Sequence, residues 1–153
     1  KWTNHEGGIR IPLIVSWPGT VPHGKVCRSL VASYDHMATF AELAGVGMPE
    51  GKDSVSYKNM LFGKPSSQRD YVVADHTVIT GDGWKLTHKQ DKWLLFQISS
   101  DPEERHNLAE TRKDQLERLQ AIYRKEAGSP RKDRQKPEQP RKTALFPPLA
   151  FAG

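Results

Sequence analysis

Three short runs rich in β-branched and aromatic residues, Tyr71–Ala74, Trp84–His88 and Trp93–Ile98, constrain the fold more than any other feature of the chain. Thr80-Gly81-Asp82-Gly83 and Lys89-Gln90-Asp91-Lys92 are suitable hairpin connections, so the natural arrangement is a small antiparallel meander. Downstream, Leu116, Leu119, Ile122 and Tyr123 recur on one face of a helix. Thr111 and Asp114 resemble a capping box at its start, and Gly128 closes it. That stripe must bury against something, and the meander is the nearest surface. Ser100 to Glu104, between the two, reads as a solvated turn.

The first half has a different texture. Ile11–Trp17 is a continuous apolar run, the pattern of a strand buried on both faces in a mixed or parallel sheet, and Pro18-Gly19 ends it. Met37, Phe40, Ala41 and Ala44 then recur at helical spacing, with Ser33 or Asp35 as N-cap and Gly45 as the stop. Val55–Phe62 is ambiguous and fits a short helical turn.

Composition narrows the function classes. Residues 129–153 hold six Lys or Arg against two acids, which accounts for +4 of the net charge of +5. The rest is nearly neutral, and the basic tail lacks the interleaved aromatics of a strand-binding groove, so nucleic acid is not indicated as a partner. Its Pro, Lys, Arg and Gln content reads as an extended or disordered extension. No run approaches the roughly 18 apolar residues of a membrane-spanning helix. The single Cys27 has no partner for a disulfide or a Cys-based zinc site and is expected to pack as a small apolar side chain.

The chain opens on Lys1-Trp2-Thr3-Asn4-His5-Glu6-Gly7-Gly8-Ile9-Arg10-Ile11-Pro12, without an initiator Met or a polar lead-in. This reads as the middle of an active-site loop, with the expectation that a preceding part of the same fold is a structural partner. Taken in order, Lys1-x-Thr3-x-His5-Glu6-Gly7-Gly8, Trp17-Pro18-Gly19, Leu43-Ala44-Gly45, Gly83-Trp84-Lys85-Leu86 and Asp101-Pro102-x-Glu104-x-x-Asn107-Leu108-Ala109 form a recognisable series. The chain resembles the carboxy-terminal part of the formylglycine-dependent sulfatases, in the alkaline phosphatase superfamily, from Lys1 to about Gly128.

That resemblance implies an α/β fold: the C-terminal part of an alkaline-phosphatase-like sandwich over residues 1–68, a small antiparallel sheet with its covering helix over 69–128, and a basic tail over 129–153. It implies that Lys1 contacts the sulfate group as the catalytic residue, an ammonium suited to charge developing on sulfuryl and leaving oxygens. His5 and His76 are candidates for substrate contact. Glu6, Gly7, Gly8 and Arg10 are expected to shape and hold the loop. Calcium and the formylglycine nucleophile are expected outside this chain, since Cys27 is followed by Arg28-Ser29-Leu30-Val31 and no carboxylates group for a hard cation. The substrate would be a sulfated small molecule or carbohydrate, the address periplasmic, secreted or lysosomal, and the isolated chain inactive. Two other readings stand beside it: a phosphonate or phosphodiester hydrolase of the same superfamily, and a non-catalytic module whose basic tail binds sulfated glycan.

Overall fold

The computed structural model describes residues 3–48, 52–64 and 69–127. Its organised centre is a four-stranded antiparallel sheet of β1 (Tyr71–Ala74), β2 (Thr77–Thr80), β3 (Trp84–Lys89) and β4 (Lys92–Gln97), in that spatial order. The meander therefore has one strand more than the sequence suggests. Thr77–Thr80 is a strand, and Asp75-His76 is the tight turn that feeds it, with Asp75 at φ 52°. Asp tolerates that left-handed geometry better than most residues. Gln90 and Asp91, at φ 49° and 60°, make the corresponding turn between β3 and β4.

Register builds two different faces. Val73, Val78, Leu86 and Leu95 line up across all four strands. The last three are fully buried beneath Leu119 of a covering helix (Lys113–Ala127), with Leu116, Ile122 and Tyr123 packed around them. The expected capping box does not form. Leu116 N donates to Arg112 O, which puts Arg112 at the helix entry, while the Thr111 hydroxyl donates back to Leu108 O. Gly128 lies outside the described residues.

On the opposite face, Val72, Ile79, Lys85 and Phe96 form the parallel row. Val72, Lys85 and Phe96 are buried, as are Thr77 and Thr87, whose hydroxyls hydrogen-bond at 3.0 Å. The outer side of β4 is sealed by the following chain: Leu108 N donates to Leu95 O at 2.8 Å, and Leu95 N donates to Asn107 Oδ1 at 2.9 Å. Replacing Asn107 by Ala leaves that buried amide unpaired. We expect a loss of about 1–3 kcal/mol in denaturant unfolding, with faster hydrogen exchange at Leu95.

The first half is built around a buried acid. The helix Asp35–Leu43 forms where expected and ends at Gly45, φ 68°, with Val46 N closing on Ala41 O. Its buried residues are Asp35, Ala38 and Thr39, however, while Met37 and Phe40 of the predicted stripe are more than half exposed. Tyr34, without a side-chain capping bond, occupies the N-cap position instead of Ser33 or Asp35. The Asp35 carboxylate accepts hydrogen bonds from Ala32 N, Val55 N and the Arg69 guanidinium. Thr39 Oγ1 donates to Asp35 O and accepts from Tyr57 N. One short helix, Lys58–Leu61, follows within the ambiguous stretch.

Ile11–Trp17 does not pair as a strand among the described residues, and Ile11 and Ile14 are 68% and 88% exposed. Apolar, β-branched composition favours a pleated surface but supplies no neighbour to bond with. Cys27 is also exposed rather than packed, its Sγ 3.9 Å from Met60 Sδ. No helix among the described residues is long and apolar enough to cross a membrane.

Candidate active-site loop and its anchor

The segment after Thr3 leaves the chain as a loop, makes one turn of helix over Glu6–Ile9, and lies against the sheet face that carries Lys85. Glu6 begins that turn. Gly8 is required there, because a Cβ would stand 2.0 Å from the Thr3 carbonyl oxygen. Gly7 meets nothing within 4 Å, so its side-chain position is open.

Lys85 is the centre of the site. Its side chain is fully buried, with Nζ 3.0 Å from Glu6 Oε1 and 2.6 Å from Glu104 Oε1. Glu104 is 2% exposed, and its other oxygen lies 2.8 Å from His5 Nδ1 and accepts from the Glu6 amide at 2.9 Å. The turn that delivers it is organised by Asp101, whose carboxylate accepts from the amides of Arg105 and His106. Glu104 itself sits at φ 55° and points inward. Sequence reasoning missed both residues: it placed Glu104 in a solvated turn and gave Lys85 no role. The available signals were a lysine flanked by Trp84 and Leu86 in a strand, and an acid following the Asp-Pro turn.

Burial alone would raise the Glu104 carboxyl, but hydrogen bonds from Lys85, the Glu6 amide and His5 override it and hold the group below its ordinary value. Asp35 behaves in the same way: burial pushes it up, and bonds from Arg69, Val55 and Ala32 bring it down. A carboxyl whose folded pKa is depressed stabilises the fold above its unfolded value, and that contribution disappears as pH falls through the folded value. We therefore expect the thermal midpoint to hold from neutral pH to about 5. It should then drop below about 4.3, the ordinary glutamate pKa, and Glu104→Gln should make that acid limb shallower in calorimetric scans.

The remaining predicted residues are placed as follows. Arg10, largely exposed, approaches Glu6 Oε2 at 3.8 Å, a weaker contact than that with Lys85. His5 is 39% exposed and engaged with Glu104 through one ring nitrogen. His76 lies exposed in the β1–β2 turn, with Nδ1 3.0 Å from the Tyr123 hydroxyl and Nε2 3.6 Å from Asp75. Asn4 Nδ2 donates to Asp75 at 3.2 Å, which joins the loop to that turn. Lys1 lies outside the described residues.

Among the described residues no three His, Cys, Asp or Glu side chains converge to hold a metal. The carboxylates of the partly buried Glu6 and the buried Glu104 are committed to Lys85, a cation that competes with any metal for the same oxygens. The described residues do not fit calcium.

The family described as N-sulphoglucosamine sulphohydrolase, C-terminal, matches residues 1–129. The chain is 27% identical over 140 residues to an arylsulfatase of Clostridium perfringens, covering 82% of this chain and 29% of that protein. It is 28% identical over 145 residues to an N-acetylgalactosamine-6-O-sulfatase of Bacteroides thetaiotaomicron, covering 80% and 28%. It therefore spans less than a third of the length of these relatives. A solved 2-O GAG sulfatase superposes with a TM-score of 0.51 at 24% identity, covering 59% of this chain and 23% of that one, a likeness that gives the fold.

Proposed function

The chain belongs to the sulfatase family, through the C-terminal region that matches residues 1–129, and from that premise we propose that it completes an enzyme hydrolysing sulfate esters. The match over residues 1–129, which includes every described residue, carries this reading. Within it, Lys1 places an ammonium against the sulfuryl oxygens, where negative charge grows in the transition state. Gly8 keeps the turn close to Thr3, and Glu6 ties the turn to Lys85. Arg10 adds an outer contact to Glu6. His5 and His76 stand on the loop and on the turn linked to it by Asn4 and Asp75, positions from which they meet the alcohol portion of the substrate.

Names of relatives such as N-acetylgalactosamine-6-O-sulfatase favour a sulfated carbohydrate as that substrate. The nucleophile and any calcium belong, on this reading, to parts of the enzyme other than this chain. The test compares matched aryl sulfate and aryl phosphate esters with the full-length protein. Preference for sulfate is the expected result. Preference for the phosphoryl ester would overturn it in favour of a phosphonate or phosphodiester hydrolase. The isolated chain should hydrolyse neither.

A further inference from the structure

We propose that Lys85 is a positioning residue for the active-site loop: its buried ammonium, shared between Glu6 and Glu104, fixes the Glu6–Ile9 turn at one place on the sheet. This rests on the sulfatase reading for its catalytic purpose, but its geometry stands independently. The helical turn Glu6–Ile9 fully buries none of its residues, so apolar packing alone does not fix it. Its ties are polar and converge on a single point: Glu6 to Lys85 at 3.0 Å, the Glu6 amide to Glu104 at 2.9 Å, and His5 to Glu104 at 2.8 Å. Asn4 adds one to Asp75.

Lys85 stands in a row whose other members are Val72, Ile79 and Phe96, where an apolar side chain would suit burial equally well. Replacing buried ion pairs by apolar groups is often neutral or stabilising, so stability alone does not require a lysine there. What the charge adds is a fixed point. The ammonium holds one Glu6 oxygen at hydrogen-bond distance, and together with the Glu6 amide and His5 bonds to Glu104 this pins the turn at several atoms, whereas an apolar contact can slide. Misplacing a reacting group by about 1 Å costs on the order of a hundredfold in rate.

Glu6→Ala is the decisive variant, because it removes the loop's side-chain tie to Lys85 while leaving Lys85 a counter-charge in Glu104. In the full-length protein we expect backbone amides of residues 7–10 to exchange at least about tenfold faster, while those of Leu86 and Leu95 stay unchanged. On an aryl sulfate, kcat should fall about a hundredfold with KM within about threefold, and Glu6→Gln, whose amide oxygen can still accept from Lys85, should recover much of the loss. Lys85→Met should show the same loop exchange wherever it folds. Unchanged exchange at residues 7–10 in Glu6→Ala would overturn the proposal, as would an active enzyme whose loop loosens without loss of kcat. If the unmodified protein cleaves no sulfate ester, the sulfatase reading falls, and the exchange result alone upholds or rejects the anchor.

Discussion

Replacing Lys85 with Met is expected to destabilise the protein by about 3–5 kcal/mol, enough to lower the melting temperature by more than about 10 °C in a unit of this size. The substitution nearly conserves volume, so the cost is electrostatic. It leaves the carboxylates of Glu6 and Glu104, 12% and 2% exposed, facing each other without the cation that neutralises them. One of them must then take up a proton, which lets it donate to the other, or open towards water, which separates the loop from the sheet. Calorimetry at pH 7 and pH 4 distinguishes the two. The deficit should shrink in acid, where a protonated glutamate needs no partner. Coupling Lys85→Met to Glu104→Leu should restore part of the loss, because a charge is removed together with its counter-charge. A melting temperature unchanged in the single variant would contradict the buried triad.

The second large effect is on turnover. Lys1→Ala in the full-length enzyme should lower kcat/KM for a sulfate ester by about 10²–10³, the range for deleting one donor aimed at developing negative charge. The loss belongs mainly in kcat, since the charge on the bridging oxygen appears only as the S–O bond breaks. Lys1→Arg retains the cation but spreads it over a planar fork, so only partial recovery is expected. Steady-state kinetics with leaving groups of different pKa sharpens the test: the defect should grow as the leaving alcohol becomes a poorer one. A rise in KM with kcat unchanged would show that Lys1 only holds the substrate.

The parts of the fold legible in the sequence are those decided by local pattern. The covering helix follows from Leu116, Leu119, Ile122 and Tyr123, and β3 and β4 follow from their aromatic and β-branched runs. β2 was obscured because Thr77 and Thr80, at its ends, resemble turn chemistry, and because the turn before it is only Asp75-His76. Ile11–Trp17 shows the opposite failure. Its composition is that of a strand, but pairing is a property of two segments, and among the described residues it has no partner. In the helix Asp35–Leu43, apolar spacing pointed to Met37 and Phe40, yet the hydrogen bonds gathered by Asp35 and Thr39 turned the polar side inward.

The site divides along similar lines. The family resemblance drew attention to the Lys1–Arg10 loop, but the residues that hold it lie some 80 and 100 positions away on β3 and in the turn after β4. Charged side chains are expected in water by default, and only a three-dimensional arrangement shows Lys85 and Glu104 neutralising each other in the interior. Glu104 carries a further constraint, since it must adopt a left-handed backbone and still reach inward.

Asn107 and Leu108, by closing the outer side of β4, also give the sheet a polarity in its vulnerability to misassembly. Among the described residues, an intruding extended segment finds the β4 rim occupied at Leu95, whereas the four residues of β1 pair on one side only. Edge-to-edge pairing of this sheet is therefore channelled towards β1.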